Sequence, residues 1–223
     1  MKTVLITGAN NGIGLETTKE LLKNDYNVIA ISKHINNLEE IKNSNLKFFP
    51  VNLTNPNEIN DFFDKIIKEK QIDILINNAG RGIFKKSEDF SIEEWNSIIS
   101  LNLTAPFYLT KLLLPEMKEN KFGRIINIGS DADHIPEENA SVYCASKYGL
   151  LGLTEAQRLE LKKYNIQITT ISPGRVDTCF NNKKKGDRPT ALYDSDIARM
   201  ILFILSQPDR CLIEQIKLSS IYE

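Results

Sequence analysis

The chain has 223 residues, of which 41% are hydrophobic, enough apolar material to bury a single core without a disordered or collagen-like composition. Its 28 basic and 29 acidic residues leave a formal net charge of −1, so no overall field attracts nucleic acid or an anionic membrane. Three cysteines at irregular spacing, with no CxxC pair, indicate reduced thiols in a cytoplasmic protein rather than a disulfide framework.

The sequence shows no targeting or metal-binding signal. The N-terminus leads at once into the strand-like run Val4-Leu5-Ile6, and no apolar run along the sequence reaches the length that crosses a membrane. The two histidines, His34 and His134, have no second His or Cys at ligand spacing. We therefore expect a soluble cytoplasmic protein without a metal site.

Short apolar runs rich in β-branched residues alternate along the chain with longer segments of helical period. The predicted strands are residues 3–7, 27–32, 46–51, 72–77, 124–129, 167–172 and 212–218. The predicted helices are residues 13–24, 36–43, 55–70, 91–119, 141–164 and 194–206. Alternation of this kind favours parallel pairing, and strands that are apolar throughout need helices on both faces. We predict a single-domain α/β fold, with a Rossmann-like doubly wound sheet of about seven mostly parallel strands.

The first predicted strand leads into a glycine-rich turn, T-G-A-N-N-G-I-G at residues 7–14, and then into an amphipathic helix. Gly8 and Gly12 allow backbone conformations and approaches that a Cβ would block, and Gly14 permits close packing of helix on strand. The free N–H groups and the positive dipole end of the helix N-terminus suit a pyrophosphate. Glycine turns also serve purely structural connections, but this position in a doubly wound pattern indicates dinucleotide binding.

Four segments together resemble the motifs of the short-chain dehydrogenase/reductase family. The turn at residues 7–14 is similar to its TGxxxGIG motif, N-N-A-G at residues 77–80 to its NNAG motif, Y-C-A-S-K at residues 143–147 to its YxxxK motif, and Pro173-Gly174 to its PG motif. They follow the family order from residue 7 to about 178. The resemblance implies a nicotinamide cofactor and hydride transfer between that cofactor and a carbonyl or alcohol carbon of a small molecule.

Tyr143 and Lys147 lie four residues apart, which places them on one face of the predicted helix 141–164. Hydride transfer to a carbonyl requires a proton donor, and a tyrosine serves in both directions if a fixed cation stabilises its phenolate. Spacing alone would also fit an exposed aromatic and a solvated lysine. The resemblance implies that the two residues are catalytic and that Lys147 also holds the cofactor ribose.

Two further residues complete the predicted catalytic group. Ser130 follows the fifth strand, at the carboxyl edge of the sheet, and the resemblance implies that it binds the substrate oxygen, although serine also commonly ends strands. Asn102 stands inside a long apolar helix, where asparagine is unfavourable without partners. The resemblance implies that Asn102 supports a water-mediated proton path to Lys147, and a buried structural hydrogen bond is the alternative explanation.

The end of the second strand bears on the choice of cofactor. Relatives that prefer NAD usually carry an acidic residue there, whereas this chain has Ser32 followed by Lys33. A neutral residue and a cation suit a 2′-phosphate, so we predict NADP(H) over NAD(H), with an ordinary exposed lysine as the alternative. The other residues that the resemblance places at the cofactor are Gly8, Asn10, Asn11, Gly12, Ile13, Gly14, Asn52, Leu53, Asn78, Ala79, Gly80, Tyr143, Lys147, Pro173, Gly174, Val176 and Thr178.

The sequence departs from the family pattern at two positions. Asn52 stands where an aspartate often contacts the adenine, and its carbonyl oxygen can still accept a hydrogen bond from the adenine amino group. Gly129 stands where serine is frequent. Neither change argues against a bound dinucleotide.

Two regions concern the substrate. Residues 177–193 are polar and without clear period, so we predict a mobile surface loop that serves the substrate; its lysines at 183–185 could attract an acidic substrate or carrier protein, or simply be solvated. The C-terminal part loosely resembles the reductases that act on hydroxy acids and other small carbonyl compounds.

A stripe of small residues on the helix of Tyr143 bears on assembly. It consists of Ala145, Gly149, Gly152 and Ala156, and favours a homodimer or homotetramer, although packing on the chain's own sheet explains part of it. Two alternative functions stay open, a non-catalytic dinucleotide sensor and an epimerase or dehydratase that uses the same site.

Overall fold

The computed structural model describes residues 1–66 and 70–222 of the chain. The strands in this part of the chain are β1 (Thr3–Thr7), β2 (Asn27–Ser32), β3 (Leu46–Pro50), β4 (Ile74–Asn77), β5 (Gly123–Ile128), β6 (Ile166–Pro173), β7 (Val176–Asp177), β8 (Leu192–Tyr193) and β9 (Gln215–Leu218). Seven of them form one parallel sheet in the order β3-β2-β1-β4-β5-β6-β9, and β7 pairs with β8 apart from it. The order reverses between β1 and β4, where doubly wound sheets form their ligand crevice.

The helices connect these strands. They are α1 (Gly12–Lys23), α2 (Asn36–Glu39), α3 (Pro56–Ile66), α4 (Ile92–Ile99), α5 (Ala105–Glu119), α6 (Ser141–Leu161) and α7 (Asp194–Ser206). A π-helical turn, Ser100–Thr104, joins α4 to α5, so the two form one continuous helical segment. Short 3₁₀ turns follow β5 at Asp131–Asp133 and α6 at Lys162–Tyr164.

Helices cover both faces of the sheet. Successive residues of each strand point to opposite faces, so the apolar side chains of one strand contribute to a core on each side. On β1, Leu5 belongs to the buried cluster that includes Leu109 and Leu113 of α5. Its neighbours Val4 and Ile6 belong to the opposite cluster, which includes residues of α1 and α7. The predicted fold class, a single-domain doubly wound sheet of seven strands, is confirmed.

Several predicted boundaries differ from the observed ones. The helix predicted at residues 36–43 is a single turn, α2, and the strand predicted from residue 212 begins at Gln215. The helix predicted at residues 55–70 begins at Pro56 and runs to Ile66, and residues 67–69 of that prediction lie outside the described residues. The prediction for residues 141–164 agrees with α6 and the 3₁₀ turn after it.

The helical segment Ile92–Glu119 is 28 residues long and, by length and composition, apolar enough to cross a membrane. The prediction concerned an uninterrupted apolar run, and Glu93, Glu94 and Lys111 interrupt this segment. The segment lies against the sheet, where Leu109, Leu113 and Met117 are part of the core. A helix that packs in a protein core commonly has such an apolar composition, and this segment occupies a core position.

The segment at residues 177–193 has more regular structure than its composition predicts. It contains the end of β7, a 3₁₀ turn at Phe180–Asn182 and the short strand β8. The buried carboxylate of Asp177 accepts hydrogen bonds from the backbone N–H of Gly186 at 2.9 and 2.8 Å. These contacts fold the segment back against the carboxyl edge of the sheet.

Candidate active site

A cleft of about 1390 Å³ opens at the carboxyl edge of the sheet. The segments that follow β1, β4, β5 and β6 line it, since parallel strands bring their carboxyl ends to the same edge. The predicted site residues that line the cleft are Gly8, Asn11, Gly12, Ile13, Ser32, Asn78, Ala79, Gly80, Ser130, Tyr143, Lys147, Pro173, Gly174, Val176 and Thr178.

The glycine turn between β1 and α1 has the conformation that its sequence predicts. Gly8 and Gly12 have positive φ angles of +63° and +51°, which L side chains rarely adopt. A Cβ at Gly14 would lie 2.3 Å from the carbonyl oxygen of Gly8, so only glycine allows the helix to begin this close to the strand. The turn leaves the N-terminus of α1 open toward the cleft, an arrangement that fits a pyrophosphate.

Asn78 connects the segment after β4 to this turn. Its side-chain amide donates hydrogen bonds to the carbonyl oxygens of Thr7 at 2.9 Å and Gly8 at 3.2 Å. In return, the Thr7 hydroxyl accepts from the backbone N–H groups of Asn78 and Ala79 at 3.0 and 2.9 Å. Thr7 is not predicted from the sequence, because its role depends on the neighbouring strand rather than on any local pattern.

Asn37 of α2 holds the other side of the turn. Its backbone N–H donates to Asn10 Oδ1 at 3.0 Å, and its side-chain amide donates to the Asn10 carbonyl oxygen and to Asn11 Oδ1 at 2.9 and 2.8 Å. The buried Asn10 side chain therefore supports the turn from behind rather than lining the cleft. Asn37 was also missed, because it is far from the glycine turn in sequence.

The phenol of Tyr143 is buried beneath two aromatic rings. Its ring centroid lies 5.5 Å from that of Phe84 and 5.9 Å from that of Phe180. Burial raises the pKa of Tyr143 to about 12, while a hydrogen bond with Ser130 lowers it and the charge of Asp131 raises it. The phenol is therefore protonated at neutral pH, as a proton donor to a carbonyl must be.

The ammonium group of Lys147 is buried one helical turn from Tyr143. Nζ donates a hydrogen bond to the carbonyl oxygen of Ile128 at 2.9 Å and lies 5.7 Å from the centroid of the Tyr143 ring. Burial lowers the pKa of Lys147 to about 8, and the charge of Asp133 raises it. The pair thus has the geometry that the four-residue spacing predicts.

Ser130 begins the 3₁₀ turn after β5. Its hydroxyl donates to Asp131 Oδ1 at 2.8 Å and accepts from the N–H of Ala132 at 3.3 Å. Its own backbone N–H donates to Asp133 Oδ2 at 3.3 Å. Ser130, Tyr143 and Lys147 line the same cleft, with Tyr143 near both of the others, and their catalytic roles stay predictions.

Asn102 lies in the π-helical turn behind this group and is almost fully buried. Its Oδ1 accepts from the N–H of Arg81 at 2.9 Å, and its Nδ2 donates to the Arg81 carbonyl oxygen at 2.9 Å and to Ser146 Oγ at 3.0 Å. These three bonds agree with the alternative explanation for Asn102, a buried structural hydrogen bond. They hold the segment after β4 against α6, and the proton path to Lys147 stays a prediction.

Some predicted cofactor residues stand away from the cleft wall. Leu53 is buried in the core, and the Oδ1 of Asn52 accepts from the Thr54 N–H and hydroxyl at 3.2 and 2.9 Å. Lys33 is exposed beside Ser32, which itself lines the cleft. An adenine contact at Asn52 would have to share an acceptor that Thr54 already uses.

The three consecutive lysines differ in their surroundings. Lys183 lines the cleft, whereas Lys185 forms an ion pair with the buried Asp194, at 2.8 Å from Nζ to Oδ2. Arg175 and Arg188 also line the cleft. Positive charge at this end of the site therefore comes from Lys183 and the two arginines rather than from the whole lysine cluster.

Comparisons with known proteins identify the family of this chain. Residues 2–189 match the family model described as short chain dehydrogenase. An uncharacterized oxidoreductase of Staphylococcus aureus is 30% identical over 224 residues, which cover 96% of this chain and 95% of the relative. Among solved structures, 4-hydroxyisoleucine dehydrogenase complexed with NADH has a TM-score of 0.92 and 28% identity, covering 100% of this chain and 98% of that one. The closed form of serine dehydrogenase complexed with NADP⁺ also has a TM-score of 0.92, with 29% identity, covering 99% and 96%.

The chain belongs to the short-chain dehydrogenase family. The predicted class, a dinucleotide-dependent oxidoreductase that acts on alcohol or carbonyl carbons, is confirmed by this membership.

Proposed function

We propose that this protein is an NADP(H)-preferring oxidoreductase that interconverts a carbonyl group and a secondary alcohol on a small carboxylated molecule. The main support is that Ser130, the Tyr143 phenol and the Lys147 ammonium line the same cleft as the glycine turn. A panel of carbonyl compounds, screened by loss of NADPH absorbance, tests the proposal. Activity toward at least one member is expected, and a purified, folded protein that turns over none would contradict it.

The residues of the site fit a nicotinamide dinucleotide. Gly8, Gly12 and Gly14 leave the backbone free of side chains, where a pyrophosphate would meet the N-terminus of α1. Lys147, Asn78 and Thr178 lie along the same cleft and would hold the ribose and nicotinamide portions. When bound, the cofactor supplies or accepts the hydride.

The proton is handled by the chain's own side chains. In carbonyl reduction, the Tyr143 phenol donates its proton to the substrate oxygen, and Ser130 positions that oxygen by rotating its hydroxyl away from Asp131. The nearby Lys147 ammonium stabilises the resulting phenolate electrostatically. In alcohol oxidation, the same phenolate removes the hydroxyl proton. Phe84 and Phe180 keep bulk water from the phenol.

The preference for NADP(H) rests on the end of β2. Ser32 lines the cleft without a negative charge, and exposed Lys33 follows it, so a 2′-phosphate meets no repulsion and has a cation beside it. Comparing kcat/KM for NADPH and NADH tests this preference. Equal values would contradict the role given to Lys33.

A carboxylated substrate is favoured by the charges of the cleft. Lys183, Arg175 and Arg188 line it on the side formed by residues 173–190, the region proposed to contact the substrate, and they outnumber the one carboxylate there, Asp187. Serine dehydrogenase and 4-hydroxyisoleucine dehydrogenase, whose folds this chain shares, are named for hydroxylated amino acids. KM for matched carboxylated and neutral carbonyl compounds, measured across a salt titration, tests the idea, because a charge-dependent KM rises with salt. An identical salt dependence of KM for both compounds would contradict the proposal of a carboxylated substrate.

A homodimer or homotetramer is proposed from the outer face of α6. Gly149 packs against Leu103, where a Cβ would lie 2.9 Å from Cδ2, so internal packing explains this glycine. A Cβ at Gly152 would meet no atom within 4 Å among the described residues, and Ala145 and Ala156 are also exposed. A second chain could approach closely at these three residues. Light scattering that shows a monomer at micromolar concentration would contradict the assembly.

A further inference from the structure

Asp133 is a fully buried carboxylic acid behind the proposed catalytic group, with a relative exposure of 0%. Its Oδ2 accepts hydrogen bonds from the Ser172 hydroxyl at 2.7 Å and from the backbone N–H of Ser130 at 3.3 Å. The first contact reaches across to β6, and the second fixes the residue proposed to bind the substrate oxygen. Asp133 thus connects the turn after β5 to the neighbouring strand.

The other oxygen of this carboxylate has no ordinary hydrogen bond. Oδ1 is buried and has no hydrogen-bond partner among the described residues, although His134 Nε2 lies 3.3 Å away. The Gln215 amide nitrogen is 2.6 Å from the same imidazole nitrogen. When Gln215 donates to that nitrogen, a neutral His134 cannot also donate to Oδ1. A buried carboxylate oxygen in this state needs electrostatic compensation from elsewhere.

The compensating charge is the Lys147 ammonium, which binds the peptide unit next to the carboxylate. A Cβ at Gly129 would be 2.4 Å from Asp133 Oδ2, so the carboxylate occupies the space above that glycine. The preceding residue, Ile128, accepts the hydrogen bond from Lys147 Nζ at 2.9 Å. The ammonium and the carboxylate therefore approach the end of β5 at consecutive residues. Both are buried, so they attract each other through a medium that screens charge less than water does, without the direct contact of an ion pair.

We propose that Asp133 is a positioning residue, whose buried carboxylate is the countercharge that keeps Lys147 protonated and which at the same time fixes the backbone of Ser130. The inference rests on the proposed function, because it assigns Asp133 a part in the same proton-transfer site. The charge of Asp133 also raises the pKa of Lys147, against the larger opposing effect of burial. It raises the pKa of Tyr143 as well.

The other groups that face this site do not replace Asp133. On α6 they are Tyr143 and Cys144, and on the turn after β5 they are Asp131 and His134. From β6 and β9 come Ser172 and Gln215, which carry no charge. Asp131 is exposed and accepts the hydroxyl of Ser130, so solvent screens it more than the buried Asp133.

The test removes the charge of the Asp133 side chain and keeps its shape. Asp133→Asn can still accept from Ser130 and Ser172 through its amide oxygen, but it removes the countercharge. The titration of Lys147 is followed in the free protein by NMR of ¹³C-labelled lysine, with the signal assigned from a Lys147→Met variant. We expect the midpoint for Lys147 to fall by about one pH unit in Asp133→Asn.

The matched control is Asp194→Asn, which removes another buried carboxylate, the partner of Lys185. It should leave the Lys147 midpoint unchanged. If Asp133→Asn does not fold, Asp133→Ser keeps a small acceptor in the same space and is measured in its place. A folded Asp133 variant with the wild-type Lys147 midpoint would overturn the proposal, whatever its melting temperature.

A second readout uses turnover. The lower midpoint should cost Asp133→Asn about fivefold in kcat/KM for carbonyl reduction near pH 8 and about tenfold near pH 9, with a much smaller loss at slightly acidic pH. A loss that is equal at all pH values would indicate a structural role alone and overturn the countercharge. If the wild-type protein reduces no carbonyl compound, the proposed function fails, and the NMR titration still decides the role of Asp133.

Discussion

The carboxylate of Asp133 fills the space in which a side chain at Gly129 would begin, with Oδ2 only 2.4 Å from the position of a Cβ there. Gly129 stands where serine is frequent in the family. The structure gives the physical reason, since a serine at this position would collide with a buried acid. The position of the Asp133 carboxylate therefore requires a glycine at position 129.

This dependence can be measured as a stability change. Gly129→Ala should lower the free energy of unfolding by about 1–3 kcal/mol, because the added methyl group overpacks a buried site. In an Asp133→Ala background the same substitution should cost much less, since the colliding oxygen is gone. Chemical denaturation of the four proteins gives the coupling energy. Equal costs of Gly129→Ala in both backgrounds would show that the two positions do not interact.

The buried amide of Asn102 provides a second stability test. Asn102→Ala removes three hydrogen bonds and leaves the backbone N–H and carbonyl of Arg81 without this partner, so the free energy of unfolding should fall by about 2 kcal/mol. Asn96→Ala, at an exposed position of α4, is the control and should change it by less than about 0.5 kcal/mol. A neutral effect of Asn102→Ala would contradict the structural role.

How much of the site is evident from the sequence depends on whether the contacts are local. The conformation of the glycine turn and the pairing of Tyr143 with Lys147 depend on residues a few positions apart, so their spacing predicts them. Asn37 reaches Asn10 from a separate helix, and Asp133 in the turn after β5 binds Ser172 on the neighbouring strand β6. No sequence period encodes such contacts, because they arise only when the sheet brings the segments together.

The same reasoning applies to element boundaries. Helix α2 ends after one turn, although residues 36–43 contain leucine and isoleucine at helical spacing, and only Leu38 of α2 is buried. The structure in residues 177–193 depends on the buried Asp177 carboxylate, which accepts hydrogen bonds from the backbone N–H of Gly186, nine residues further along. Both features are set by burial, which local patterns predict poorly.

The pH dependence of cofactor use follows from Lys147. Burial lowers the pKa of Lys147 to about 8, so the ammonium is present below that pH and is lost as the pH rises through it. Above about pH 8, kcat/KM for NADPH should fall by about tenfold per pH unit, because this parameter reports the free enzyme. A profile that stays flat up to the ordinary lysine value of 10.5 would contradict the assignment.

Cofactor preference should respond to the residues at the end of β2. Lys33→Ala should reduce the ratio of kcat/KM for NADPH to that for NADH by about tenfold, because one charge-assisted contact to the 2′-phosphate is lost. Ser32→Asp should reduce it further by repelling the phosphate. Lys162→Ala removes an exposed lysine after α6 and serves as the control. An unchanged ratio in Lys33→Ala would show that this lysine does not meet the phosphate.

The central claim is that the Tyr143 phenol transfers the proton while the hydride moves. Tyr143→Phe keeps the ring between Phe84 and Phe180 and removes only the hydroxyl, so the site should keep its shape. The decisive measurement is kcat for carbonyl reduction by this variant, together with its Kd for NADPH. We expect kcat to fall by about 10²- to 10⁴-fold with Kd nearly unchanged. A variant that binds NADPH and keeps most of its kcat would contradict the account.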